Sequence, residues 1–309
     1  MARRLCYNVV QRQSHSGRPR EPDETDLTVP LPLWSQCVRV LYPWLLMLLL
    51  PLLLAAPARA QPEVRLLLSA QEYEWIGGQI FRNECNAREA CLVHWNRGES
   101  FPSLGIGHFI WYPIGREGPF QESFPALVLF GLDQGVAMPE WLPPQASEGA
   151  PWPTRDTFLE AEGYDPRIDE LRQWLGRNPG FQAAFMVTRA QEALEQVIAA
   201  SSRPSDTRRK LKALAASPGG VYALVDYVNF KGEGLSETER YQGMGWGLLQ
   251  VLEGMDDASM GTQPLGAFRE SAERVLTRRA HHADQAIERE QWLPGWLNRL
   301  HTYREPDGR

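Results

Sequence analysis

The segment Asn83-Glu84-Cys85, with Ser103-Leu104-Gly105-Ile106-Gly107-His108-Phe109-Ile110 close behind it, limits what this chain can become. Ser69-Ala70-Gln71-Glu72 is a capping-box signature, in which the Ser hydroxyl and the Glu carboxylate satisfy each other's orphan backbone donors. The helix it opens carries Tyr73, Ile76, Ile80 and Phe81 at helical spacing, and Glu84 continues the stripe set by Ile76 and Ile80. The expectation is a carboxyl turned into the protein at the last helical turn, where desolvation disfavours its charged form. Leu92-Val93-His94-Trp95 then predicts a short strand, Asn96-Arg97-Gly98-Glu99 a turn, and Leu104 to Tyr112 the returning strand. Gly105 and Gly107 would stand on one strand face, where a missing side chain lets another backbone or a ligand come close. Trp95, Phe101, Trp111 and Tyr112 offer flat surfaces suited to stacking or to filling a core.

The start of the chain bears on its compartment. Leu45 to Leu54 is an apolar run, and Ala58-Arg59-Ala60 behind it fits the small-x-small rule for signal peptidase. Interrupted by Pro51, the run falls short of the roughly 20 residues that a spanning helix needs. Cleavage after Ala60 and a periplasmic or secreted location are therefore expected, with no stable membrane insertion afterwards. Residues 1–40 are polar and long for a leader; a translation start nearer Val38 or Leu41 is the alternative. Cys6 and Cys37 belong to the leader, which leaves Cys85 and Cys91 to form one disulfide in an oxidising compartment. A metal site at that pair has no second ligand pair in the sequence to complete it, and no metal or other cofactor is expected. Removing residues 1–60 takes 7 of the 32 basic and 4 of the 38 acidic residues, leaving 25 against 34 and a net charge of −9. No basic stripe survives, which argues against a nucleic-acid partner.

Past the hairpin, residues 131–156 are rich in Pro and Gly, and a loop or insert at the edge of a lobe is expected there. From Asp156 the pattern is helical. Stripes run over Ile168, Leu171 and Leu175, over Phe181 to Ile198, and over Arg208 to Ala216. Further helices are expected at Val221 to Phe230, Gly247 to Met255, Phe268 to Arg289, and after Trp296. The fold class read from this order is α+β: a leader at 1–60, then one domain over 61–309. It comprises a small lobe with a β-hairpin (about 66–130), the 131–156 insert, and a larger helical lobe (157–305).

The order of these pieces resembles the phage-type lysozymes and endolysins. Ser103-Leu104-Gly105-Ile106-Gly107-His108 looks like that family's Thr-x-Gly-x-Gly-His strand, with Ser for Thr. Ala223-Leu224-Val225-Asp226-Tyr227-Val228-Asn229-Phe230-Lys231-Gly232 is similar to its buried Ala-Leu-x-x-x-x-Phe-Asn-x-Gly helix, with Asn and Phe interchanged. Gly247-Leu248-Leu249-Gln250-Val251-Leu252 resembles its Ser-Thr-Leu-Leu-x-x-Leu segment, and also the Gly-Leu-Met-Gln of soluble lytic transglycosylases. Leu293-Pro294-Gly295-Trp296-Leu297-Asn298-Arg299 looks like the closing Gly-Leu-x-x-Arg-Arg motif. Together the matches run over residues 70–303. The chain departs in a longer spacing from acid to hairpin, the extra Cys pair and inserts at 113–165.

The resemblance implies a lysozyme-like cleft between two lobes, a monomer, and peptidoglycan or a related polysaccharide as partner. It puts Glu84 in the place of the general acid. The second carboxylate belongs in the hairpin turn, where Glu99 is the acidic residue available and Asn96 lies on the other side of the expected place. Ser103 would position the attacking water. By residue type rather than by the resemblance, Trp95, Trp111 and Tyr112 would bind substrate by stacking on sugars, and Glu233 is a third contender for the acid that could equally bind substrate. Glu89 is a rival acid on the Cys85–Cys91 loop, His108 a structural hydrogen-bonding residue, and His281-His282 a solvated face. A lytic transglycosylase, which needs only the acid, and a non-catalytic glycan-binding protein on the same frame remain open. So does a signal-anchored membrane protein. The acidic balance counts against a free-standing bacteriolytic enzyme approaching an anionic wall.

Overall fold

Ser69 caps the first helix as its sequence predicts: its hydroxyl accepts from the Glu72 amide at 3.3 Å, and its own amide donates to the Glu72 carboxylate at 2.7 Å. The computed structural model describes residues 64–257, 261 and 263–307. The leader, its apolar run, the cleavage site, Cys6 and Cys37 lie outside the described residues. Helix α1 (Ala70–Cys85) ends where Asn86 turns left-handed at φ 50°. It lies against α6 (Pro179–Ala200) so closely that a Cβ on Gly77 would come 2.3 Å from the Pro179 carbonyl oxygen. That contact requires glycine.

A short 3-10 turn (Glu89–Leu92) leads into three two-residue strands, β1 (Val93–His94), β2 (Ser103–Leu104) and β3 (Phe109–Ile110). They form an antiparallel sheet in the order β1-β2-β3, with Val93 opposite Leu104 and Leu104 opposite Phe109. The fold class is therefore α+β, with helices providing nearly all the regular structure. The long return strand expected from Leu104 to Tyr112 is not formed. Gly105-Ile106-Gly107-His108 is instead the turn between β2 and β3, with left-handed Gly105 (φ 67°) and His108 (φ 48°).

Residues 131–156 also differ from the loop expected there. After α2 (Phe124–Asp133), they contain α3 (Leu142–Glu148) and the first residues of α4 (Arg155–Ala161). Pro143 and Pro144 fall at the start of α3, where proline's fixed φ suits a helix and its missing donor costs nothing. The segment folds back on the hairpin: the Ala150 amide donates to the Tyr112 carbonyl at 2.7 Å, and the Ile114 amide to the Ala150 carbonyl at 3.2 Å.

Helices α5 (Pro166–Arg177), α7 (Pro204–Ala215), α8 (Pro218–Lys231), α9 (Leu248–Gly254), α10 (Pro264–His282) and α11 (Leu293–Leu300) complete the order. The charged run expected to continue α10 to Arg289 breaks at Ala283, and a π turn (Glu288–Trp292) precedes α11. Helix α8 is the central one: Val221, Tyr222, Ala223, Leu224, Val225 and Tyr227 are all buried. A helix apolar on every side is one surrounded by others. Its one acidic side chain, Asp226, is fully buried. No helix among the described residues is long and apolar enough to cross a membrane.

The start of α5 carries a pH-dependent clamp. Asp165 accepts from the Arg167 amide (3.0 Å), the Arg167 guanidinium (2.7 Å) and the Trp152 indole (3.0 Å). The Arg167 hydrogen bond holds its carboxyl below the usual carboxylate range against the opposing effect of burial. A depressed folded value means that the stabilisation is full above the unfolded value, about 3.9, and vanishes as pH falls through the folded one. Asp165→Ala is expected to lose about 1–3 kcal/mol at pH 7. The difference from wild type in urea midpoint should shrink below about pH 4.

Candidate functional site

Three consecutive residues at the end of α1 each tie it to a different part of the chain. Asn83 donates its amide to Tyr222 of α8 at 2.7 Å and to Thr302 at 3.2 Å. Glu84 turns inward, with its side chain 5 % exposed. Cys85 is disulfide-bonded to Cys91 across the turn. The helix end is thereby held in position and rotation before any chemistry is considered.

The Glu84 carboxyl sits in a buried charge network. Oε1 accepts from Arg299 Nη2, and Oε2 lies 3.6 Å from His108 Nδ1. Arg299, on α11, also grips Asp226 of α8 with two parallel hydrogen bonds of 2.8 Å. Tyr303 donates a third hydrogen bond to Asp226 at 2.8 Å. The guanidinium carbon stands 4.4 Å from the centre of the Phe230 ring. Burial works against the guanidinium's charge, but Asp226 and Glu84 outweigh it and hold its pKa well above the ordinary value. Burial first, and Asp226 next, push the Tyr303 phenol well above its own. Glu84 is thus buried, as its helical position predicts, but not in an apolar setting. It shares one cation with Asp226.

His108 reaches Glu84 from the β2–β3 turn, which is fastened from two sides. The Gly105 amide donates to the Leu92 carbonyl at 2.7 Å, and the Ile106 amide to the fully buried Gln182 of α6 at 2.9 Å. The glycines are explained by this packing. A Cβ on Gly105 would stand 2.2 Å from Gln182 Oε1, and one on Gly107 would stand 2.6 Å from the Phe109 ring. At φ 67°, Gly105 is also in backbone territory that costs any other residue. Gly105→Ala is expected to destabilise by about 2–4 kcal/mol. Thermal unfolding checks it, since an unshifted midpoint would contradict this packing.

Glu99 and Ser103 come together. Glu99 Oε2 accepts from Ser103 Oγ at 3.3 Å and from Asn96 Nδ2 at 3.2 Å. Glu99 is half-buried and Ser103 buried. The loop is pinned by the Trp95 indole on the Glu99 carbonyl (2.9 Å) and by Arg155 on the Trp95 carbonyl (3.0 Å).

The aromatic candidates require correction. Trp95 (2 % exposed), Trp111 (0 %) and Tyr112 (5 %) offer no open face. Trp95 packs on Phe158, Trp111 between Phe124 and Trp152, and Tyr112 against Phe101. They are core: Phe124, Trp152 and Phe158 of the 113–165 insert cover Trp111 and Trp95, and Phe101 covers Tyr112. Glu233 follows α8 between two left-handed glycines, and its electrostatic neighbours include Arg189 of α6 and Glu239. Glu89 is exposed at the start of its turn. A surface concavity runs along α10, past Glu270, Arg274 and His281, and takes in none of the candidate residues.

Asp226, Arg299 and Tyr303 are the participants that residue patterns alone do not assign. One signal does exist: an acid within the strongly apolar helix Val221 to Phe230 calls for a buried partner. No family model matches the sequence, and no curated protein or solved structure matches it either.

Proposed function

We propose that this chain is a lysozyme-like peptidoglycan glycosidase, acting on the bond between N-acetylmuramic acid and N-acetylglucosamine after export. The observation that carries the reading is Glu84: a buried carboxyl at a helix end, held by Arg299 and lying against the turn of a small hairpin. Oε1 stays with Arg299, while Oε2, facing His108, is the oxygen that would take up a proton when substrate binds and pass it to the leaving glycosidic oxygen. Glu99 would then act as the second carboxylate, stabilising the oxocarbenium-like centre or taking a proton from water, with Ser103 orienting that water. The lysozyme-like division into a hairpin lobe and a helical lobe belongs to the same proposal.

One observation favours a second reading. A carboxylate already paired with a buried guanidinium is well suited to a structural role, as in a non-catalytic glycan-binding protein. Incubating the purified protein with purified peptidoglycan separates the two. Release of soluble muropeptides supports the enzyme, and co-sedimentation without release supports the binder. If the protein neither releases muropeptides nor co-sediments, no glycan reading stands.

A further inference from the structure

The sequence shows no second ligand pair near the cysteines, but folding supplies a third ligand from the hairpin turn. Cys85 Sγ, Cys91 Sγ and a ring nitrogen of His108 all lie within 4.8 Å of one another. His108 Nε2 is 3.9 Å from Cys91 Sγ, and the opposite ring nitrogen, Nδ1, is 3.6 Å from the Glu84 carboxylate. A histidine with one nitrogen toward the metal position and the other facing a carboxylate 3.6 Å away is close to the arrangement that orients imidazole ligands in zinc sites. A metal binding two sulfurs at about 2.3 Å and a nitrogen at about 2.0 Å gathers its ligands into this span. Cys91 and His108 are half-buried, so a cation can reach them, while Cys85 anchors the site from within.

The geometry points to a redox-gated metal site: with the Cys85–Cys91 disulfide reduced, Cys85, Cys91 and His108 bind one zinc-like divalent cation, leaving a fourth position for water. An external phosphine attacks one sulfur and breaks the Cys85–Cys91 S–S bond. Water then supplies its oxygen to give the phosphine oxide and its two protons to give two thiols, whereas a dithiol reductant closes to its own disulfide and supplies the two protons itself. Each thiol then releases its proton as its sulfur donates an electron pair to the cation. Two thiolates and an imidazole suit zinc or cobalt(II) and discriminate against magnesium and calcium. The oxidised form has no thiolates to offer. This inference does not rest on the glycosidase reading, because its readout is metal binding.

The test uses the full chain carrying Cys6→Ala and Cys37→Ala, reduced by a phosphine without oxygen and titrated with cobalt(II). The expected result is one equivalent bound, with thiolate-to-cobalt charge transfer and tetrahedral visible bands, reversed by zinc and absent from the oxidised chain. His108→Asn, chosen because Asn tolerates the left-handed backbone, should weaken binding by at least about tenfold, while His281→Ala should leave it unchanged. Circular dichroism of the reduced chain is recorded alongside. No cobalt bands, bands unaffected by His108→Asn, or binding by a chain that reduction has unfolded would each overturn the site.

Discussion

Arg299→Met is expected to lower stability by about 3–5 kcal/mol, because it strands two buried carboxylates without their shared cation. Asp226 is fully buried and the Glu84 side chain 5 % exposed, so water cannot replace the guanidinium at either. Against a typical domain stability of about 5–15 kcal/mol, the loss is a large share of the total. The cost belongs to the uncompensated charges more than to the bonds removed, which gives a second, sharper expectation. Adding Asp226→Asn to Arg299→Met should restore part of the loss, so the double variant unfolds at higher urea than Arg299→Met alone. A loss below about 1 kcal/mol would be the size of an exposed ion pair. It would mean that the network is open to solvent.

Glu84→Gln is expected to reduce muropeptide release by about 100-fold or more, the usual contribution of a positioned general acid. The amide keeps the shape and can still accept from Arg299, whose two bonds to Asp226 are untouched. Stability should therefore change far less than activity, and urea unfolding run beside the assay separates a lost proton donor from a lost fold. Glu99→Gln is expected to show a comparable fall if water is the acceptor of the glycosyl group. Should Glu99 prove dispensable while Glu84 does not, the transglycosylase route fits better, since it needs only the acid. Ser103→Ala, which removes one hydrogen bond to Glu99, should cost less than either.

The sequence foretells best those features that are local. The Ser69 cap, the inward stripe Ile76–Ile80–Glu84 and the Cys85–Cys91 pair each follow from spacing within a helix or a short loop, and the structure contains all three. The Asp226–Arg299 contact spans 73 positions, and no periodicity reports it. Trp95, Trp111 and Tyr112 show the limit of residue type. An aromatic ring signals a flat apolar face, but whether it meets a ligand or Phe158 and Trp152 depends on where α3 and α4 pack. Helix α3 was hidden because prolines that open a helix read as breakers when the helix has only seven residues. The glycines of the hairpin are legible as special positions. Their reason, contact with Gln182 and Phe109, emerges only in three dimensions.

The most direct test of the central claim is to digest peptidoglycan with the wild-type protein in water enriched in oxygen-18 and to analyse the new ends by mass spectrometry. Hydrolysis with Glu84 as acid and Glu99 assisting water predicts reducing N-acetylmuramic acid ends that carry the heavy oxygen. Unlabelled anhydro ends would contradict the hydrolytic step, and an absence of any soluble product would contradict the role assigned to Glu84 altogether.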